Sequence, residues 1–412
     1  MENYKIKDYY PTLKEKYDQK ELIYFDNACS LLKPKPVIDA VNEYYIKYGA
    51  CAGVRSAHRL SNEVHEQCEE ARSCVARFIK AKSPDEIIWT KNTTEAINLL
   101  ANALDLKNGD EVISTSLEHH SVLLPFNNLT KKGIALKVID LGFKNNSYLD
   151  LIKRSIKKNT KLIAITHCSN VTGEIINLAE IVKIARAKGV LVFSDEAQYI
   201  VHNNVDVQKS GVDFCAFSST KLGGPTGLGV LYVKKEQVHR LNNYMLGGGM
   251  VSDVKYINNK LYPEYLKAPY KYEAGMQNYA GIIGLKAALE FYNKHKIYEI
   301  NHDKLYIYAR KKIKDLKLFI LGKLENSPIL SFILPGKVSH KDLDLFMEDD
   351  KKYIYAYRSG THCAAPFHYK NNINISAGMG SIRLSFFVYN DKKEVDIMCR
   401  KIKMFMERIN AN

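Results

Sequence analysis

From Val37 onward the chain alternates helical patterns with short apolar runs, a rhythm that few architectures satisfy. The clearest runs are Glu111-Val112-Ile113-Ser114, Leu136-Lys137-Val138-Ile139, Lys161-Leu162-Ile163-Ala164-Ile165, Val190-Leu191-Val192-Phe193 and Leu228-Gly229-Val230-Leu231-Tyr232, with another from Asp213 to Ser218. Segments that are apolar at nearly every position suit strands covered on both faces, as in a mostly parallel sheet. Between them, Thr94 to Leu104 carries Ala96, Ile97, Leu99, Leu100, Ala103 and Leu104 at helical spacing, and Leu178 to Lys188 repeats the pattern before a Gly189 stop. Strand, helix, strand predicts an α/β fold, with a large domain over residues 24–291 built on a mostly parallel central sheet. A helical segment from Gly281 to Asn293, a further helix, and strands near Ile329 to Leu334 and Ile382 to Phe387 predict a smaller α+β domain over residues 292–412. The irregular, tyrosine-rich opening, residues 1–23, is assigned to that smaller domain.

Composition narrows the classes. At 412 residues the chain is long enough for about two domains, and its 46% hydrophobic and 25% charged content is that of ordinary globular proteins. No apolar run approaches the roughly eighteen residues of a membrane span. Met1-Glu2-Asn3-Tyr4-Lys5 lacks the apolar stretch of a secretory signal, so a cytoplasmic location is expected. Net charge is +15, but the lysines are spread along the chain. Their one dense run, Lys294 to Lys317, has apolar residues at helical spacing and reads as a solvated amphipathic face, so no nucleic-acid partner is expected. The eight cysteines contain no C-x-x-C pair and the twelve histidines no H-E-x-x-H, so neither a disulfide framework nor a metal site is expected.

In such sheets ligands collect beyond the carboxyl ends of the strands, and the residues just after these runs are polar and reactive. Ser114 leads to Glu118-His119-His120, Ile165 to His167-Cys168-Ser169-Asn170, Phe193 to Ser194-Asp195-Glu196-Ala197-Gln198, and Phe217 to Ser218-Ser219-Thr220-Lys221. Lys221 then enters the turn Leu222-Gly223-Gly224-Pro225-Thr226-Gly227. A lysine at the mouth of a buried strand loses hydration, its ammonium becomes more acidic, and the free amine can condense with an aldehyde. The aldehyde expected is pyridoxal 5'-phosphate. That cofactor needs an amine (Lys221), an anion opposite its ring nitrogen (Asp195), a flat group against its ring (His119) and a donor to its phenolic oxygen (Gln198). Its phosphate needs a cradle, for which Thr93 and Thr94 at a helix start, with Ser218 and Thr220, are the candidates.

These motifs resemble the class V aminotransferase-like family of fold-type I pyridoxal phosphate enzymes, and within it the SUF-type cysteine desulfurases. The resemblance runs from Tyr24-Phe25-Asp26-Asn27-Ala28 through the rim motifs to Arg358-Ser359-Gly360-Thr361-His362-Cys363-Ala364-Ala365-Pro366 and Arg383. It implies that L-cysteine is converted to alanine and that Cys363, in its loop, takes the sulfur as a persulfide. Arg358 and His362 are expected to favour its thiolate. Arg383 and Asn170 are expected to hold the substrate carboxylate, with Ala28 and Arg358 nearby, and His119 to serve as a proton donor. The resemblance further implies a sulfur-acceptor protein or thiol, a role in iron–sulfur cluster assembly, and a homodimer. Selenocysteine and cysteine sulfinate remain open as substrates, as do another class V activity, such as an epimerase or aminotransferase, and a non-catalytic partner in a sulfur-transfer assembly. The chain departs from the family pattern at Thr220 (usually histidine), Met276 (threonine), Glu196 (glycine) and Val54 (often histidine).

Overall fold

The structure is a computed structural model describing residues 6–53, 58–141, 148–336, 338–373 and 378–410; Val54 and Arg55 lie outside the described residues. The chain opens with β1 (Lys16–Tyr17) and β2 (Lys20–Tyr24). It then builds β3 (Ile87–Thr90), β4 (Glu111–Thr115), β5 (Ala135–Ile139), β6 (Thr160–Thr166), β7 (Leu191–Asp195), β8 (Phe214–Ser218) and β9 (Gly229–Val233). The last seven form one sheet in the order β3-β9-β8-β7-β6-β4-β5. Strands β5, β4, β6, β7 and β8 run parallel, and β9 is antiparallel to both of its neighbours.

The burial follows the sequence pattern. Every residue of β3, β4, β8 and β9 is buried. The edge strand β5 buries only Ile139 and sets Lys137 towards its partly open face, as an edge allows. The helix Thr93–Ala103 lays Ala96, Ile97, Leu99 and Leu100 on a cluster with Ile88, Val112, Leu162 and Leu231. Truncating Ile97 or Leu100, both fully buried, would cost about 2–5 kcal/mol each. The helix Leu178–Arg186 ends just ahead of Gly189, whose φ of 68° places it in the left-handed region that the predicted stop requires.

Beyond the main sheet come the hairpin β10 (Val251–Ile257) and β11 (Lys260–Tyr265), then β12 (Phe319–Leu321), β13 (Ile329–Ile333), β14 (Tyr353–Ala356), β15 (Arg358–Gly360) and β16 (Ser381–Ser385). An antiparallel sheet runs β12-β13-β16-β15. Strand β14 pairs in parallel with β2, which ties the opening residues to the C-terminal part of the chain. Around these strands, Phe25, Leu330, Phe332, Leu384 and Phe386 pack with residues of the helices Asp303–Asp315 and Lys392–Asn410. Within the lysine-rich run, Asp303–Asp315 buries Leu305, Tyr306, Ala309 and Ile313 and exposes Lys304, Lys311 and Lys314, the amphipathic arrangement its spacing predicts. No helix among the described residues is long and apolar enough to cross a membrane.

Candidate active site

The carboxyl ends of β3, β4, β6, β7 and β8 open onto one cavity of about 360 Å³. Every residue singled out as a site candidate from the sequence lines it, from Ala28, Thr93 and Thr94 to Arg358, Cys363 and Arg383. Cys29, Ser121, Thr166, Cys168, Ala197 and His362 line it as well. His167 does not. It turns away, with Nδ1 2.8 Å from Glu196 Oε2 and its ring stacked 3.4 Å from that of Tyr199. Ser194 Oγ donates to the other Glu196 oxygen at 2.6 Å, so the glycine-to-glutamate departure is accommodated by two polar partners.

Lys221 sits in a single 3-10 turn, Ser219–Leu222, directly after β8. Its Nζ donates to the carbonyls of Ala28 (2.5 Å) and Cys29 (2.8 Å), which hold the amine at the cavity wall. Burial, and then the Arg383 guanidinium, bring its pKa down to about 8. Asp195, the last residue of β7, accepts from the Ala197 amide at 3.0 Å, and burial pushes its pKa up to about 6. Behind it lies Glu118, fully buried, with Oε1 accepting from Thr115 Oγ1 at 2.6 Å and its carboxyl held well above the usual carboxylate range by burial. Burial thus works against the ionised form of Glu118, and Asp195 is the carboxylate that lines the cavity.

His119 caps the helix His120–Asn128, and its Nδ1 accepts from the Ser121 amide at 3.1 Å. Burial, reinforced by Lys221, lowers its pKa to about 4. A neutral imidazole that accepts at Nδ1 carries its proton on Nε2, so His119 is a donor in the cavity at neutral pH. Thr93 opens its helix with its amide donating to Ser218 Oγ at 2.8 Å and its Oγ1 at 2.6 Å from the same oxygen. Thr94 Oγ1 lies 2.7 Å from Ser121 Oγ. These hydroxyls gather at the positive end of a helix dipole, a setting for an anion. Gln198 Nε2 donates to the Ala28 carbonyl at 2.8 Å. Met276 is 73% exposed, its sulfur 3.9 Å from that of Cys51.

The opposite wall comes from the other sheet. Arg358 of β15 and Arg383 of β16 are register partners, an arrangement of like charges that is unfavourable unless an anion intervenes. Asp26 supplies one: its carboxylate is 2.5 Å from Arg358 Nη2 and 3.5 Å from Arg383 Nη2. Arg383, 4% exposed, also donates from Nη1 to the Asn170 carbonyl at 3.0 Å, while its Nε has no partner among the described residues. This guanidinium is thus only partly paired inside the protein.

Cys363 is exposed at the tip of a loop in which His362 (φ 52°) and Cys363 (φ 55°) are both left-handed, a conformation that costs about 1–2 kcal/mol per non-glycine residue. Three hydrogen bonds hold it. The His120 amide donates to the Cys363 carbonyl at 2.7 Å, Asn170 Nδ2 to the His362 carbonyl at 2.7 Å, and the Ala365 amide to His120 Nε2 at 3.1 Å. The positive charge expected around Cys363 is not supplied as its motif predicts. His362 is buried against Ser381 Oγ (2.9 Å) and driven well below the usual imidazole range by burial, so it offers no positive charge. Arg358 gives its hydrogen bonds to Asp26 and to Cys29 Sγ (2.9 Å) instead of to Cys363.

Residues 23–398 match the family model described as aminotransferase class V. The chain belongs to that family. It is 38% identical to a probable cysteine desulfurase of Pyrococcus abyssi over 95% of this chain and 96% of that protein. It is 36% identical to a cysteine desulfurase of Wigglesworthia glossinidia brevipalpis over 99% of this chain and 100% of the relative. Among solved structures, the apo cysteine desulfurase of Thermococcus onnurineus superposes on this class V fold with a TM-score of 0.85 at 35% identity, covering 94% of this chain and 95% of that one. The cysteine desulfurase CsdA of Escherichia coli, in an S-sulfonic acid form, gives 0.82 at 30% identity and 98% coverage of both chains.

Proposed function

We propose that the chain is a pyridoxal 5'-phosphate-dependent cysteine desulfurase that converts L-cysteine to L-alanine and leaves the sulfur on Cys363 as a persulfide. One observation carries the reading: an amine, a carboxylate anion, an imidazole donor, a buried guanidinium and a thiol line a single cavity. The donor set fits the cofactor. Lys221 would bind its aldehyde carbon, Asp195 its ring nitrogen, and Thr93, Thr94, Ser218 and Thr220 its phosphate, with His119 against the ring and Gln198 within reach of the phenolic oxygen. When bound, pyridoxal phosphate draws electrons away from the substrate Cα and so loosens the bonds at Cα and Cβ.

The chain's own residues do the rest. With its pKa near 8, about a tenth of Lys221 is the free amine at pH 7, against well under a thousandth for an unperturbed lysine. As a free amine, Lys221 Nζ would also be the group to take the Cα proton of the substrate. Arg383 and Asn170 grip the carboxylate of cysteine and so fix which substrate bond faces the cofactor. His119 supplies a proton from Nε2. Cys363 Sγ then attacks the substrate sulfur, the Cβ–S bond breaks, and the new S–S bond stays on the protein while alanine leaves.

The pairing of β2 with β14 supports a division into a larger part, residues 24–291, and a smaller part, residues 1–23 and 292–412, that carries the Cys363 loop. Exposed Ile46 (82%), Leu246 (66%) and Met276 (73%) support a homodimer. A sulfur-acceptor thiol or protein would meet the persulfide at the exposed Cys363 tip. The test is to incubate the cofactor-loaded protein with L-cysteine, with and without a thiol reductant, and to quantify alanine and sulfide. The desulfurase reading expects equal alanine and total sulfur, with Cys363→Ala losing both on the order of a hundredfold. Undiminished alanine from Cys363→Ala would instead make the thiol incidental.

A further inference from the structure

Cys29 stands apart from the cysteines that serve as filler. Cys68, Cys168 and Cys399 are buried and pushed up to about 12 by burial, whereas Cys29 is exposed and lines the same cavity as Cys363. Its surroundings are cationic. Arg358 Nη2 donates to Sγ at 2.9 Å, and the Cys29 carbonyl itself accepts from Lys221 Nζ at 2.8 Å. Lys33, anchored by Ser30 Oγ (2.8 Å) and the Leu31 carbonyl (2.7 Å), is electrostatically coupled to both Lys221 and Cys29. In the same cavity the nine-tenths-buried Arg383 keeps an unpartnered Nε. Arg358 Nη2 is shared between Asp26 Oδ2 (2.5 Å) and Cys29 Sγ, so a sulfur that becomes an anion in the working cycle already has a charged donor on it. An exposed thiol in the same cavity as a persulfide-forming one also has a ready chemistry.

We propose that Cys29 is a second sulfur carrier, taking the terminal sulfur from the Cys363 persulfide; this rests on the desulfurase reading above. Cys29 Sγ, as thiolate, attacks the outer sulfur of Cys363–S–SH. A bond forms between Cys29 Sγ and that sulfur, the Cys363 Sγ–S bond breaks, and its electron pair leaves with Cys363 as thiolate. The proton stays on the transferred sulfur or passes to water. No oxidant or reductant is consumed, because one sulfur–sulfur bond replaces another. The transfer regenerates Cys363 for a second substrate while Arg358 holds the charge of the Cys29 persulfide at the cavity mouth.

The test uses the full-length, cofactor-loaded protein with L-cysteine and no reductant, quenched with an alkylating reagent and mapped by peptide mass spectrometry. Expected are persulfide on both the Cys29 and the Cys363 peptides and a burst of about two alanines per chain. Cys29→Ser should keep the label on Cys363 and halve the burst, and Cys363→Ala should lose both labels. Alanine formed with persulfide confined to Cys363 in the unmodified chain overturns the relay and leaves the desulfurase reading standing. Label on Cys29 in Cys363→Ala overturns the order of transfer. A Cys29–Cys363 disulfide with released sulfide shows attack on the inner sulfur and overturns the relay too. Absence of alanine from the unmodified chain brings down the desulfurase reading itself.

Discussion

The two walls of the cavity are built in different ways. On one side Thr93, His119, Asp195, Ser218 and Lys221 follow the carboxyl ends of successive strands of a single buried sheet, so their positions are set by strand register and their ionisation by burial. On the other side Arg358, Cys363 and Arg383 come from a second sheet and a loop with two left-handed residues, held by hydrogen bonds that cross long stretches of sequence. The first wall is desolvated, which suits tuning a bound cofactor. The second is more open and carries opposed cations around Asp26, which suits gripping an anionic substrate and handing sulfur outward.

Substitutions should separate the two walls. The largest effect is expected from Lys221→Ala, which removes the group proposed both to hold the cofactor and to move the proton: alanine formation should fall on the order of a thousandfold or more. A drop of less than tenfold would mean that another residue does this work. Next is Arg383→Ala on the substrate wall. Loss of the proposed charge-assisted hydrogen bond to the cysteine carboxylate would be worth about 2–3 kcal/mol, so KM should rise about 30- to 150-fold with a smaller change in kcat, and Arg383→Lys should recover part of it. An equal fall in kcat with KM unchanged would put Arg383 on the cofactor side of the comparison instead.

The smallest effect concerns Asp195 in the cofactor-free protein. Its folded pKa of about 6 lies above the ordinary carboxylate value near 3.8, so the folded state holds this proton more tightly than the unfolded chain. Stability must therefore decline as pH rises from about 4 to about 6, by something on the order of 3 kcal/mol, and stay lower above that. Asp195→Asn should flatten this part of the stability–pH curve measured by urea unfolding of the cofactor-free protein. An unchanged slope would mean that the buried carboxylate is stabilised by a partner not among its contacts here.

The wall on the main sheet was legible because Asp195, Ser218 and Lys221 stand at or just past the ends of apolar runs, so local pattern and chemistry coincide. Strand β3, only Ile87–Thr90, escaped because four residues are too few to show a period. The hairpin β10 and β11 escaped for the opposite reason. It buries none of its residues, so no alternation marks it. Asp26 could be placed in a motif, but its role between two arginines depends on a register set more than three hundred residues downstream. The same distance hid the Arg358 contact to Cys29 and led the charge near Cys363 to be misassigned. A signal for Cys29 did exist, since it directly follows Ala28 in the same motif, but only the fold brings it to the cavity that Cys363 lines.

The proposed chemistry requires a bond between Lys221 and the cofactor aldehyde. The most direct measurement is borohydride reduction of the protein reconstituted with pyridoxal phosphate, followed by peptide mapping. The phosphopyridoxyl group should be found on the peptide containing Lys221, in near one-to-one yield with the chain. Its appearance on another lysine, or on none, would contradict the account.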